Sequence, residues 1–302
     1  MNTNDDKLLE LAELVQEYLL LQKRVSQVES WLEALGEDGR VHGRVITNGA
    51  VTGRMTHSSP NMAQIPNAGS VYGHECRECW TVEDGNVLVG CDASGLELRM
   101  LAHYMKDEGY VRTVTEGSSK NGTDVHTVNQ KAAGLATRDQ AKTFIYAFLY
   151  GAGDSKIGSI VGGSASHGKK LKEKFLRQTP ALEKLLDRVK KQAAKGWVPG
   201  LDGRRIWVRS EHAALNSLLQ GAGAVVMKKA LCIFYDKIKA NKWPVKLVAN
   251  VHDEFQFECP PSVAEEAGKA ARQSIIDAGI YFNLRCPLDG EYKIGPNWRF
   301  TH

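Results

Sequence analysis

The sequence predicts an α+β fold in which a sheet is interrupted by a helical insertion. Two regions have strand patterns: "NVLVGCD" (86–92) is a nearly continuous apolar run, and in 245–257 β-branched residues precede Phe255 and Phe257 at a period of two. Between them, apolar residues recur three and four apart, as in helices. We therefore expect one sheet built from both regions, with helices inserted between them.

Length and composition indicate an ordinary globular protein. The chain has 302 residues, 42% hydrophobic and 25% charged, enough for one large core or two to three subdomains. Its longest apolar runs, such as 222–227, are far shorter than the roughly 20 residues that span a bilayer. The N-terminus has no apolar stretch behind a basic cluster. We therefore expect a cytoplasmic protein without membrane association.

The predicted elements follow in chain order. Apolar residues at helical spacing predict a long helix over 6–35, after which Gly, Asn and Pro indicate irregular structure to about residue 72. The strand 86–92 follows. The remaining pattern predicts helices at 95–105, 124–134 and 137–150, mostly helical structure over 168–195, a hairpin at 196–210, helices at 212–238 and 262–278, and an extended tail.

Charge is unevenly distributed along the chain. Residues 156–195 contain eleven Lys and Arg against three Asp and Glu, although the net charge of the whole chain is only +4. Residues 1–38 have the opposite bias. A basic stretch of this kind is either a solvated helix face or a surface that binds a polyanion, and composition leaves both open.

Acidic residues interrupt the second strand region in "NVHDEFQFEC" (250–259). Burying an ionised carboxylate costs several kcal/mol unless it is paired, protonated or bound to a cation. Asp253 and Glu254, at the expected hairpin tip, therefore face either solvent or a metal ion. Asp92 ends the other strand, and two aspartates at adjacent strand ends can hold two Mg²⁺ about 4 Å apart for phosphoryl transfer. Sequence spacing alone leaves that pairing open.

The helix predicted at 137–150 carries two cations followed by two aromatics. Arg138, Lys142, Tyr146 and Tyr150 recur every four residues and so climb one slowly drifting face. Such a face suits a triphosphate near the helix start and a base and sugar farther along. It is also compatible with a solvated basic face and core tyrosines. His126 begins the preceding helix, where anions are favoured and where capping histidines also occur.

Five segments resemble motifs of the family A DNA polymerases, the DNA polymerase I superfamily. "DASGLELR" (92–99), "RDQAKTFIYAFLYG" (138–151) and "VHDE" (251–254) are similar to its three polymerase motifs. "NGAVTGRMTHSSPNMAQIP" (48–66) resembles its primer-template motif, and "HAALNSLLQGAGA" (212–224) its second duplex-contacting helix. The amino-acid sequence of these segments is most similar to that of replicative polymerases of short-tailed bacteriophages.

This resemblance implies a polymerase right-hand fold with an antiparallel-sheet palm, helical fingers and a largely absent thumb. The implied parts are thumb-base helices (1–40), the first part of the palm (41–105), fingers (106–209) and the second part of the palm (210–302). The exonuclease domain common in the family lies outside the resemblance, so we expect no 3′–5′ exonuclease activity from this chain.

The resemblance also implies site residues. Asp92, Asp253 and the Ala93 carbonyl bind two Mg²⁺ ions, with Glu254 supporting this catalytic group. The dNTP is bound by five residues: His126, Arg138 and Lys142 at the phosphates, and Glu97, partnered by Tyr146, at the sugar. The primer-template is contacted by Arg54, Asn216 and Gln220 in the minor groove, His252 at the primer terminus, Tyr150 at the templating position and Gly151 beside it.

The implied function is template-directed DNA synthesis by two-metal nucleotidyl transfer in phage-type replication, within a bacterial host cytoplasm. The implied partners are primer-template DNA, dNTPs, and either a second polypeptide that supplies thumb or exonuclease or a second copy of the chain. An alternative is a catalytically weak module that binds primer-template within a larger replication assembly. A single-chain RNA polymerase relative would share the two aspartates. Glu97, which at the sugar would exclude ribonucleotides, would distinguish a DNA polymerase from such a relative.

Overall fold

The computed structural model describes residues 6–302. Its first elements are α1 (Asp6–Glu33), β1 (Arg44–Ile46), β2 (Thr56–Ser58), a 3-10 turn (Met62–Gln64), α2 (Gly73–Glu78), β3 (Val87–Ala93), α3 (Leu96–Met105), α4 (Glu108–Glu116), α5 (Val125–Ala133) and α6 (Arg138–Leu149). They are followed by α7 (Asp154–Ser159), α8 (Ala165–Gln178), α9 (Pro180–Ala193), β4 (Trp197–Pro199), β5 (Arg205–Trp207), α10 (Glu211–Asn241), β6 (Lys246–Val251), β7 (Glu254–Cys259), α11 (Pro261–Tyr281) and β8 (Gly290–Gly295).

A four-stranded antiparallel sheet joins distant parts of the chain. Its order is β6-β7-β3-β8, so β3 lies between strands that follow the helical insertion. One face is apolar: Cys91 lies opposite Phe255, Val89 lies opposite Phe257, and all four are fully buried. Phe234 of α10 covers this face, with its ring centroid 4.9 Å from that of Phe257. Because side chains alternate along a strand, Asp92 and Glu254 lie on the other face.

The helices α4 to α9 form the insertion between β3 and α10. Phe144 of α6 packs edge-on against Phe175 of α8, with ring centroids 5.1 Å apart, and both are fully buried. The start of α6 is fixed by a capping box in which Thr137 and Gln140 satisfy each other's backbone N–H groups. The preceding helix α5 ends at Gly134, whose φ of +73° suits glycine. These terminators place Arg138 in the first turn of α6.

Within the described residues, α10 is long and apolar enough to cross a membrane by length and composition. More than half of its most apolar stretch, 56%, is buried inside the protein. It packs against α3, α9 and α11. This packing accounts for its apolar composition as that of a central core helix.

The first helix is mostly solvent-exposed. Trp31 is the buried residue of α1, whereas the apolar side chains of Leu11, Leu14, Tyr18 and Leu19 are between 55% and 63% exposed. Residues 1–5 of the first predicted segment lie outside the described part of the chain. The described part of α1 therefore presents an apolar surface on the outside of the protein.

The structure confirms the predicted α+β architecture and most predicted elements. The basic block 168–195 comprises α8 and α9, which separate where Pro180 occupies the first turn of α9. The sequence pattern missed α2, α4 and α7, which have 6, 9 and 6 residues. Segments this short show few turns of a helical period. The equally short α5, with 9 residues, is bounded by Asp124 and Gly134, which are recognisable helix ends.

Candidate active site

The sheet brings Asp92 to the tip of the β6–β7 hairpin. Asp92 lies directly opposite Glu254 in the pairing of β3 with β7. The next backbone N–H along β3, that of Ala93, donates to the carbonyl of Asp253 at 3.0 Å. His252 and Asp253 form the tight turn between β6 and β7, and His252 has a φ of +53°. A non-glycine residue rarely adopts this conformation, and such strained positions are concentrated at functional sites.

The two aspartates are electrostatically frustrated. Surrounding protein displaces water from Asp92. This desolvation, together with the charges of Glu254 and Asp253, raises the pKa of the Asp92 carboxyl to about 7. Solvent still reaches the side chain. Desolvation also raises the pKa of Asp253, an effect that Arg54 partly offsets from 3.7 Å. Raised carboxyl pKa values mean that the ionised forms are poorly stabilised by the protein alone.

These carboxylates fit a hard divalent cation, which prefers oxygen ligands and would stabilise both ionised groups. Within residues 6–302, no group of three or more His, Cys, Asp and Glu could hold a metal ion. A metal bound here would therefore be held by Asp92 and Asp253, completed by backbone or solvent oxygens.

Glu254 does not face solvent, one of the two alternatives that the sequence offered for it. Its side chain is 4% exposed and lies under residues 298–302. The indole Nε1 of Trp298 donates to Oε1 at 2.7 Å, and the His302 ring pairs with Oε2. The Gln256 amide donates to the same Oε1 at 3.2 Å. Trp298 and His302 were missed because no local pattern links the end of the sequence to β7.

Glu97, at the start of α3, connects the carboxylates to α6. The phenol of Tyr150 lies within hydrogen-bond distance of both its oxygens, at 3.1 and 3.0 Å. This partner is Tyr150 rather than the expected Tyr146, which is half-buried beside it with the two rings 6.5 Å apart and nearly parallel. The guanidinium of Arg54 lies 3.5 Å from Glu97 and 3.7 Å from Asp253, and so bridges the two acids.

A second cluster lies at the starts of α5 and α6. Arg138 forms an ion pair with Asp124 in which Nε and Nη2 lie 3.0 and 2.9 Å from the same carboxylate oxygen, Oδ1. Asp124 also caps α5 by accepting from the N–H of His126. Burial would raise the pKa of Asp124, but the hydrogen bonds from Thr127 and Arg138 outweigh it and lower that pKa to about 2. The sequence pattern predicted no role for Asp124.

His126 is poised as a neutral donor or acceptor. Desolvation and the charges of Arg138 and Lys142 lower the pKa of His126. Its buried Nδ1 has no hydrogen-bond partner in the structure, and its ring lies 6.2 Å from that of Tyr146. Lys142 is exposed one turn beyond Arg138. The structure thus brings four side chains to one side of α6: His126, Arg138, Lys142 and Tyr146.

The residues predicted to contact the primer-template flank this centre. Arg54 and His252 line one cavity together with Ala224 of α10. Asn216 and Gln220 lie one turn apart on α10, toward its N-terminus, and both are half-buried. Gly151 has a φ of +75°, and a Cβ there would lie 2.5 Å from the His212 carbonyl oxygen, so close approach of the backbone requires glycine.

Comparison with known proteins identifies the family. A sequence model described as DNA polymerase family A matches residues 1–300. The chain belongs to DNA polymerase family A. The DNA-directed DNA polymerase of Escherichia phage T7 is 44% identical over 96% of this chain and 46% of its own length. That of Enterobacteria phage T3 is 43% identical over the same shares.

A solved structure shows the same fold. The POL domain of Pol1 from M. smegmatis, in complex with DNA primer-template and dNTP, matches with a TM-score of 0.84 and 25% identity, over 98% of this chain and 56% of that chain. The predicted polymerase fold and the resemblance to phage family A polymerases are thereby confirmed. The chain spans about half the length of the phage relatives, 46% in each case.

Proposed function

We propose that this family A chain catalyses template-directed DNA synthesis, adding dNTPs to a primer 3′-OH. The observation that carries the proposal is the convergence of Asp92 and Asp253 on neighbouring strands of one sheet, where their carboxyl pKa values are raised. Localisation in the cytoplasm, of a bacterial host if the gene belongs to a phage, is part of the same proposal.

Two Mg²⁺ ions would be held by Asp92, Asp253 and the Ala93 carbonyl. When bound, they supply Lewis-acid activation of the 3′-OH and neutralise charge on the leaving pyrophosphate. The protein's own contribution is to hold the carboxylates on rigid strands. Glu254 is held by Trp298 and His302 and lies directly opposite Asp92 in the sheet, where it would support this metal site.

The nucleotide would lie along α6. Arg138 and Lys142, with neutral His126 beside them, offer charge and hydrogen bonds to a triphosphate. Tyr146 lies near both Glu97 and Asp253: desolvation, together with the charges of these two acids, raises the pKa of Tyr146. This position suits the sugar of a nucleotide whose phosphates lie at the start of α6 and whose α-phosphate lies near Asp253.

The primer-template would lie against Arg54, His252, Asn216 and Gln220, with Tyr150 and Gly151 at the templating base. We assign the palm to 41–105 and 210–302, the fingers to 106–209 and the thumb base to 1–40. The exposed apolar side chains of α1 support its packing against further polypeptide, either more of a longer chain, a second polypeptide or a second copy.

The test is extension of a labelled primer on a short template with Mg²⁺ and all four dNTPs. Asp92→Ala and Asp253→Ala should abolish extension, whereas Asp84→Ala, which changes an exposed aspartate before β3, should not. Primer-template binding is measured in parallel by fluorescence anisotropy. Binding without extension by the wild type, unaffected by either site substitution, would instead favour a binding module within a larger assembly.

A further inference from the structure

The hairpin β4–β5 presents aromatic side chains to solvent. Trp197 lies directly opposite Trp207, so both project from the same face. Trp207 is 62% exposed, and the guanidinium carbon of Arg205 lies 4.8 Å from the centre of the Trp197 ring. The other face of the hairpin is core: Val198 and Ile206 are each 1% exposed. Burial therefore explains one face of the hairpin, whereas on the other face Trp197 is half-buried and Trp207 is exposed.

Positive charge is concentrated in the sequence around this hairpin. Residues 190–209 contain six Lys and Arg and one acidic residue, Asp202. Asp202 is already paired with Arg204, at 3.5 Å. Within residues 6–302, neither Arg205 nor Arg209 has a carboxylate within ion-pair distance. The face thus combines flat aromatic rings with cations that no protein anion neutralises.

The hairpin is fixed beside the residues assigned to the primer-template. Arg204 donates to the carbonyl of Thr52 at 2.8 Å, two residues before Arg54. Ile206 packs so closely on α10 that a Cβ at Gly221 would lie 2.5 Å from its Cδ1. Gly221 follows Gln220. The hairpin is therefore anchored beside the proposed DNA site through Arg204 and Ile206, and its tryptophan face lies on the side turned away from α10.

We propose that Trp197, Arg205 and Trp207 bind an unpaired strand of nucleic acid, the single-stranded template next to the primer-template. Unpaired bases expose their faces to aromatic rings and guanidinium groups, while nearby Lys and Arg attract the phosphates. In a duplex the base faces are already stacked on one another, so only the phosphates and the base edges in the grooves remain available. The surface should therefore favour single strands. The identity of the strand rests on the proposed function, but the binding surface does not.

The test measures affinity of the full chain for fluorescent oligo(dT) and for a blunt duplex, by anisotropy without metal or dNTP. Trp207→Ala should weaken oligo(dT) binding about tenfold and leave duplex binding within twofold. Trp207→Phe, which keeps an aromatic ring, should restore most of the affinity. The control is Tyr281→Ala, an aromatic residue on α11 that is 61% exposed and also packs on a cation, Lys229 at 4.1 Å.

Unchanged oligo(dT) binding by Trp207→Ala would overturn the proposal, as would equal losses for oligo(dT) and duplex. A melting temperature equal to that of the wild type shows that each variant is folded. Direct contact is checked by photocrosslinking an iododeoxyuridine oligonucleotide, which should label Trp197 or Trp207; labelling confined to other elements would contradict the proposal. Because no catalysis is needed, a chain that fails to extend primers can still give the expected result.

Discussion

Tyr150 donates its phenol hydrogen to Glu97, whose two carboxylate oxygens lie 3.1 and 3.0 Å away. Glu97 is 8% exposed, and the guanidinium of Arg54 lies 3.5 Å from it. Desolvation raises the pKa of both Glu97 and Tyr150, so the phenol keeps its proton at neutral pH. Without DNA or nucleotide, Tyr150 at the end of α6 is therefore hydrogen-bonded to Glu97 at the start of α3.

Tyr150→Phe should lower the free energy of unfolding by about 1–2 kcal/mol, because a buried carboxylate loses its best donor. The measurement is urea denaturation at pH 7. Tyr281→Phe, at an exposed position, should change stability by less than about 0.5 kcal/mol. Equal stabilities for Tyr150→Phe and the wild type would mean that Arg54 alone satisfies Glu97.

Glu97→Ala should increase ribonucleotide incorporation on the order of tenfold, because it removes the side chain proposed to contact the sugar C2′ position. The measurement is the ratio of kcat/KM for a dNTP and its matching rNTP. Glu97→Gln keeps the size of the side chain and should keep most of the discrimination. Loss of discrimination in both variants alike would point to charge rather than bulk.

Asp124 should make the protein acid-sensitive. Its pKa of about 2 lies below the usual 3.8, so its contribution to stability is complete above about pH 4 and is lost as the pH falls toward 2. Asp124→Asn keeps a capping side chain but removes the charge. We expect a loss of roughly 1–2 kcal/mol at pH 7, discounted because the Arg138 side chain is 42% exposed.

The measurement is urea denaturation between pH 7 and 2. The gap between wild type and Asp124→Asn should close toward pH 2. Asp139→Asn, at an exposed position next to Arg138, serves as the control and should show no such closing gap. A gap that stays constant with pH would mean that Asp124 stabilises the fold without its charge.

Local sequence pattern predicted where the chemical groups lie along the chain but not which groups meet. Alternation and strand ends located Asp92 and the hairpin tip, and the period of four placed Tyr146 and Tyr150 on one helix face. Which tyrosine reaches Glu97 depends on how α6 packs against α3, which no local pattern encodes. The contacts of Trp298 with Glu254 likewise join segments whose proximity depends on the register of β7, β3 and β8.

Asp92→Asn should stabilise the metal-free protein at high pH. Because the folded-state pKa is raised to about 7, the folded protein binds more protons than the unfolded chain between about pH 4 and 7, so stability falls as the pH rises through that window. At pH 8 the variant should exceed the wild type by about 1–2 kcal/mol, a figure discounted because the side chain is solvent-accessible. At pH 4 the two should be equal.

Magnesium should reverse this order at pH 8. A cation that binds the folded wild type raises its melting temperature, whereas Asp92→Asn has lost a ligand and should gain much less. Thermal melts with increasing MgCl₂ provide the measurement, with Asp84→Asn expected to follow the wild type. An identical Mg²⁺ response in Asp92→Asn and wild type would remove Asp92 from the metal site.

Trp298→Phe should destabilise the protein by about 2 kcal/mol, because it removes the indole donor of a buried charged acceptor, Glu254. Trp80→Phe is the matched control, since Trp80 belongs to the same hydrophobic cluster and its buried Nε1 has no hydrogen-bond partner. Both substitutions lose part of an aromatic ring, but only the first loses a hydrogen bond. The difference between them, measured by urea denaturation, therefore reports the bond together with any change in the contact between Arg77 and the Trp298 ring.

A cycle with Glu254→Gln then tests whether Trp298 acts through Glu254. If it does, Trp298→Phe should cost less in the Glu254→Gln background than in the wild type. We also expect Trp298→Phe to weaken the Mg²⁺-induced rise in melting temperature, since a Glu254 side chain free to move no longer holds its charge opposite Asp92. Additive stability losses together with an unchanged Mg²⁺ response would restrict Trp298 to a packing role.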